Sequence, residues 1–294
     1  MEKKQLIVFQ NLNIKDFVHP EEKQKEKVLT SSASNAVFDS INALCQSIMM
    51  PLINGSYVQA TPEATPRLYK LLKQVCTVLS YTNHSIILCL THNFSSAITP
   101  CGTEKQEYIL IPQRLVYEFD DDMMRYALGN AVTMLKAGHV KFANIAGYVP
   151  GAGPFELIKK PFIDFIHAAD ATSDRGGLLA CQSFAAAVRC HLFEMGMPVK
   201  ESRKLFTTDE HAVRFVSGYL EEFRRRREEN SNIATKLARS WYDISYIEGA
   251  GNLMLSDLFD WYLDENGYQA VIRKYTGTAA AAKNGQPSRF KAGG

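Results

Sequence analysis

Apolar positions along this chain fall mostly at helical spacing, and the longest such run is also the most evenly apolar. From Tyr126 to Ile145 the sequence reads YALGNAVTMLKAGHVKFANI. With Met123 and Met124 ahead of it, its apolar residues (Ala127, Leu128, Ala131, Val132, Met134, Leu135, Val140, Phe142, Ile145) lie almost all round one helix. Asp120, Asp121 and Asp122 stand at its start, where carboxylates favour the positive end of the helix dipole, and no proline follows before Pro150. Such a helix belongs in the middle of a domain. Arg125, Lys136 and Lys141 interrupt it, which excludes a membrane span.

The flanking pattern predicts further helices and a short run of strands. After an extended LIVF piece, His19-Pro20 opens a charged helix through EEKQKEK. A second helix, about Ser34 to Met50, carries Val37, Ile41, Leu44, Cys45 and Ile48 at helical spacing and is expected to stop at Pro51 and Gly55. A third begins at Pro66. Branched and aromatic residues then dominate Ser85 to Thr91, Ser96 to Thr99 and Glu107 to Ile111, with a turn expected at Cys101-Gly102, so a small antiparallel sheet is predicted. Gly147, Pro150, Gly151, Gly153 and Pro154 make a loop after the central helix. One long helical stretch is expected over Pro161 to Glu194 and another over Thr207 to Ile247, polar on one side. The class is α+β: a mostly helical domain, residues 1–275, with a small antiparallel sheet beside a central buried helix. The tail from 276 to 294 is too poor in apolar residues to order itself without a partner.

Composition narrows the partners more than the fold. In 294 residues, 46% hydrophobic and 22% charged, there is ample material for a core, and a formal charge of +2 gives no general attraction to nucleic acid or membrane. The run Arg224 to Arg227 is followed by Glu228 and Glu229, the pattern of a solvated face. Six cysteines without a C-x-x-C pair suggest neither a disulfide framework nor a metal knuckle, and with no signal-peptide core at the start a reducing cytoplasm is the expected location.

The central helix and the stretch DATSDRGGLLACQ together carry a resemblance to zinc endopeptidases of the prenyl-protein-protease and heat-shock-protease type. Their central helix reads roughly L-G-H-E-x-x-H-x-x-x-G-H, and here Leu128, Gly129, Gly138 and His139 stand in register. Their second signature, E-x-x-x-D-R-A-G-L-L, is matched by Asp174, Arg175, Gly177, Leu178 and Leu179. The resemblance implies that two histidines and the later glutamate hold zinc while the glutamate of the first motif activates water. At those positions this chain has Asn130, Met134, Asp170 and Ala131. The frame is retained and the chemistry is not. Leu255 to Tyr275 resembles the family's C-terminal helix pair, though Glu248 and Met254 fall near where a His-Pro and an arginine belong.

What function follows is then a matter of what replaced catalysis. Asn130 and Met134 are poor zinc ligands and Ala131 moves no proton, so the expectation is no catalytic residue, no metal and no cofactor. His167, Asp170 and Asp174, at i, i+3 and i+7, could meet a cation on one helix face, but partly buried structural roles are the ordinary account of such residues. His139, nine residues beyond Asn130, is expected on the opposite side of the same helix, bracing loops. Cys181, Cys190 and His191 are available as a nucleophile and base, yet a Cys beside a His in one helix does not face it. No G-x-S-x-G, P-loop or G-x-G-x-x-G motif follows a strand. The leading reading is a catalytically inactive metallopeptidase homologue that binds a protein partner or serves a larger assembly, with neither nucleic acid nor a membrane span. The alternative is a hydrolase with an altered metal site. In the family the resemblance points to, an edge strand holds extended peptide, which makes Tyr108, Ile109, Leu110 and Ile111 the expected partner-binding strand.

Overall fold

The computed structural model describes residues 5–29, 32–82, 85–92, 97–103, 105–146, 156–229 and 251–277. The expected glycine-rich loop at 147–154, the second half of the expected 207–247 helix and the tail beyond Gly277 lie outside them.

In chain order the elements are α1 (Glu22–Leu29), α2 (Ser32–Ser56), β1 (Val58–Gln59), α3 (Pro66–Val78), β2 (Ile87–Thr91), β3 (Thr99–Gly102), β4 (Glu107–Pro112), α4 (Gln113–Glu118), α5 (Asp121–Ala137), α6 (Val140–Ala146), α7 (Glu156–Cys181), α8 (Phe184–Glu194), α9 (Val199–Leu205), α10 (Asp209–Glu229), α11 (Gly251–Leu263) and α12 (Tyr268–Thr276). The mostly helical α+β class is the observed one.

The central helix is shorter than its apolar pattern. α5 begins where its sequence says, with the Asp120 carboxylate accepting from the Met123 amide. It ends at Gly138, which takes a left-handed φ of 77°, while the Gly138 amide donates to Leu135 and the His139 amide to Met134. Residues 126–145 are therefore two helices with a corner at Gly138-His139, a correction to the single helix expected. The long helix over 161–194 divides similarly: Gln182 has φ 51° and Ser183 caps α8 by accepting from the Ala186 amide. The turned-out Gln182 amide pairs with both the N–H and the C=O of Ile7, which fixes the extended N-terminal piece. α2, by contrast, runs through Pro51 to Ser56. Proline removes one donor to the Ser47 carbonyl, and since both residues are exposed, water can take its place there.

The sheet differs from expectation in a way that matters for function. It is mixed, in the order β1-β2-β4-β3, with β2 and β4 parallel (Ile87↔Tyr108 to Thr91↔Pro112) and β3 antiparallel to β4. Cys101 and Gly102 are strand residues, not a turn. β4 is thus an inner strand: Tyr108, Ile109, Leu110 and Ile111 have neighbours on both sides, and their backbone groups are not open to an extended partner. The outer strands are β1 and β3, and at β3 the Asn144 side chain of α6 donates to the Gly102 carbonyl and accepts from its amide, with Gln46 of α2 donating to the same carbonyl. That edge is closed by the chain itself.

Alternation along β4 sends Ile109 and Ile111 into the main core with Leu88, α3 and α5, and Tyr108 and Leu110 toward Met49 and Ile53 of α2. On the far side of α5 lies α7. The two run antiparallel and so close that glycine is required between them: a Cβ on Gly129 would sit 2.4 Å from that of Ala180, and one on Gly176 would sit 1.9 Å from Thr133 Oγ1. Gly129→Ala is expected to destabilise the fold by about 1–3 kcal/mol through overpacking. Gly218→Ala, on the exposed face of α10 where a Cβ meets nothing within 4 Å, is expected to stabilise it by about 0.5–1 kcal/mol. Urea unfolding midpoints of the two variants check the pair.

Candidate functional site

Along α5 the polar side chains Tyr126, Asn130 and Thr133 interrupt an apolar helix on one face, and that face meets α7. Asn130 Nδ2 donates to Asp174 Oδ1 at 2.8 Å, and the Tyr126 hydroxyl donates to the same oxygen at 2.8 Å. Tyr126 Oη is also 2.9 Å from His191 Nε2 on α8, and that nitrogen lies 3.5 Å from Asp174 Oδ2. Tyrosine has one proton to give, and it goes to Asp174, so His191 donates from Nε2 in its neutral form. Burial supports that form by pulling the His191 imidazole down to about 4.

Burial raises Asp174 to about 7, with the Tyr126 and Asn130 hydrogen bonds opposing, Asp257 adding to the rise and Arg175 opposing it. Asp170, one helical turn earlier, is also pushed up to about 7, by burial and then by the Asp174 charge, with His139 opposing. The two carboxyls are a coupled pair. Donors reach only Asp174 among the described residues, so Asp174 ionises first and Asp170 keeps its proton longer.

Arg175 points the other way. It makes a two-oxygen contact with Asp257 of α11 at 3.1 and 3.3 Å, stacks over Trp261 at 5.3 Å, and donates to the Val18 carbonyl at 3.3 Å. His19 Nε2 lies 3.2 Å from Asp257, and the His19 amide donates to Thr172 Oγ1. Burial alone would raise Asp257, but His19 and Arg175 outweigh it and hold the carboxyl below its usual range. Thr172 in turn donates to Glu22, whose other oxygen is 3.2 Å from His139 Nε2. Through this chain α7 ties together α1, α11 and the corner between α5 and α6.

Each residue singled out from sequence can now be placed. Asn130, Asp174 and Arg175 come together in this network; Gly129 makes the close helix contact; Gly138 turns the corner. His139 is buried in that corner, its ring edge against Phe165, instead of lying on the far side of a continuing helix. Ala131 and Met134 are buried, and Asp170 is half-buried with no hydrogen bond to its carboxyl among the described residues. Cys190 gives its thiol to the Met123 carbonyl, so it and His191 do not face each other. Tyr126, Glu22 and Thr172 carry no sequence expectation, and His191, weighed only as a base for a cysteine, instead meets Tyr126 and Asp174. The signal for Tyr126 was present in its i, i+4, i+7 spacing to Asn130 and Thr133, three uncharged polar residues on one face of a largely apolar helix.

Zinc does not fit this set of donors. It needs neutral imidazole, thiolate or carboxylate ligands converging on one point. Position 130 offers an amide already bonded to Asp174, position 131 a methyl, position 134 a thioether and position 170 a single carboxyl. Among the described residues no three His, Cys, Asp or Glu side chains are gathered to hold a metal, so His167 is not joined with Asp170 and Asp174 in one. Comparison with known protein families, curated proteins and solved structures finds no match to this chain.

Asp170 and His191 set a pH dependence with two opposing arms. In the unfolded chain aspartate ionises near pH 4, whereas folded Asp170 holds its proton until about 7, so its contribution to stability falls as pH rises across that interval. His191, depressed to about 4, acts oppositely: the stability of its neutral buried form is lost as pH falls from 6.5 toward 4. Subtracting an Asp170→Asn series from wild type isolates the first arm. The variant is expected to gain on wild type steadily from pH 4 to 7 and then hold a constant margin, as read from urea midpoints at half-unit steps.

Proposed function

We propose that this chain is a non-catalytic descendant of a zinc endopeptidase of the prenyl-protein-protease and heat-shock-protease type, acting as a protein-binding or structural subunit in the cytoplasm. The observation that carries the reading is the Asn130–Asp174–Tyr126 cluster: the residue standing in the first ligand position is held by a structural hydrogen bond to Asp174, which stands in register with the second motif. Its neighbours Ala131 and Met134 are buried without polar partners to offer. Among the described residues no helix is long and apolar enough to cross a membrane.

Asp170 favours one other reading, a hydrolase that has kept a single acid. Burial and the Asp174 charge push its carboxyl up to about 7, the range a general acid or base uses. Turnover abolished by Asp170→Asn would support that reading over ours.

Purified wild-type protein is expected to carry less than about one zinc per ten chains by elemental analysis and to leave unfolded casein uncut. The variant Asn130→His, Ala131→Glu, Met134→His, Asp170→Glu keeps the helix spacing and leaves Asp174 placed to accept from an imidazole at 130. It is expected to bind one zinc with at least tenfold higher affinity than wild type. Stoichiometric zinc in the wild type, or casein cleavage by it, would reject the proposal.

A further inference from the structure

α3 turns one face to the core and another to a hollow. Leu68, Leu71 and Val75 are buried inward, while Tyr69, Leu72, Lys73 and Cys76, at i, i+3, i+4 and i+7, line a cavity of about 610 Å³. Gln10 and Asn11 of the extended N-terminal piece, with Tyr81 and Ile86 ahead of β2, supply other parts of its wall. That wall is anchored by the chain itself. The Phe9 amide donates to the Val78 carbonyl at 3.2 Å, the Ser80 hydroxyl donates to the Phe9 carbonyl, and the Lys136 ammonium donates to the Leu12 and Leu79 carbonyls. A preformed hollow of this volume lies in the range that takes a small molecule, roughly 300–1,000 Å³.

Which molecule fits follows from what each side chain has left to offer. The Tyr69 hydroxyl donates to the Ala60 carbonyl at 2.9 Å and the Tyr81 hydroxyl to Glu107 at 2.6 Å, so both tyrosines offer rings and keep no proton for a ligand. Leu72 and Ile86 are apolar and buried. Burial, and after it the Glu107 charge, pushes the Cys76 thiol up to about 12, so it stays protonated and adds to the apolar surface. Thr77 gives its hydroxyl to the Lys73 carbonyl. What remains at the exposed rim is the Lys73 ammonium, which has no acid partner among the described residues, with the side-chain amides of Gln10 and Asn11.

The charges are split along the hollow. Glu107 acts on its half-buried part, at Cys76, and Lys73 on its exposed rim, so a negative group is favoured at the mouth and opposed further in. We propose that this hollow binds a flat, apolar small molecule carrying one negative charge, its ring system against Tyr69 and Tyr81 and its anionic group at Lys73. A single cation at the rim matches a single anion, and a cationic ligand would meet Lys73 on entry. The inference rests on α3 and the segments beside it, and stands whether or not the α5–α7 site has kept any chemistry.

Anilinonaphthalene sulfonate is flat, apolar and singly charged, and phenylnaphthylamine is the same ring system without the sulfonate. By fluorescence titration the wild-type chain is expected to bind one sulfonate per chain with a Kd of about 1–50 µM, and the neutral analogue about fivefold more weakly. Lys73→Gln, at an exposed position, is expected to weaken the sulfonate about fivefold and leave the neutral analogue unchanged. Cys76→Phe fills the hollow and is expected to abolish binding of both. If that variant fails to fold, Thr77→Trp, at an exposed position on the rim, blocks the mouth to the same effect. Wild type without saturable binding up to about 200 µM, a sulfonate affinity unaltered by Lys73→Gln, or undiminished binding to folded Thr77→Trp would overturn the proposal.

Discussion

The close crossing of α5 and α7 is the constraint on which the rest of the molecule depends. Gly129, Gly176 and Gly177 leave no side chain at the contact, so the two backbones approach until the neighbouring polar residues must face each other. Tyr126 and Asp174, both buried, then have little water to turn to and satisfy each other, with half-buried Asn130 donating to the same carboxylate. Were the helices further apart, Asp174 would need a different partner and Asn130 would be free to point elsewhere. The same crossing sets Arg175 on the side of α7 facing α11 and the N-terminal segment, where its contacts to Asp257, Trp261 and the Val18 carbonyl hold parts of the chain far apart in sequence.

From this follows a distinction between scaffold and chemistry. The residues of the two motifs that the chain retains, Gly129, Gly138, His139, Asp174 and Arg175, all have structural work here: close approach, a left-handed corner, a brace to Glu22, an acceptor for two donors, a clamp on two segments. Those it lacks are the ones whose use would be to hold metal or move a proton. On the reading proposed above, a chain relieved of catalysis but still obliged to fold would keep the first set and lose the second.

Much of the architecture was legible because it depends on local pattern. The start of α5 is written in Asp120 to Asp122, α3 in Pro66, and the branched and aromatic run Tyr108 to Ile111 identifies a strand. Its place in the sheet was not legible, because pairing is decided by residues far away: β2 lies parallel to β4 with β3 intervening in sequence, and that turns an expected edge into an inner strand. Gly138 was read as part of a motif, and its other meaning, a helix stop, was overlooked. Pro51 misled in the opposite direction, since an exposed carbonyl can lose its partner to water at little cost. The His191 and Thr172 contacts required knowing which helices meet.

The account turns on whether the space between positions 130, 134 and 170 is a metal centre or part of a satisfied interior. Anomalous scattering at the zinc edge from crystals grown with excess zinc examines that space directly. The expected result is no anomalous peak there, with Asn130 Nδ2 within hydrogen-bond distance of Asp174. A tetrahedral peak bonded to Asp170 and to any second side chain of the site, with Asn130 swung away from Asp174, would contradict it.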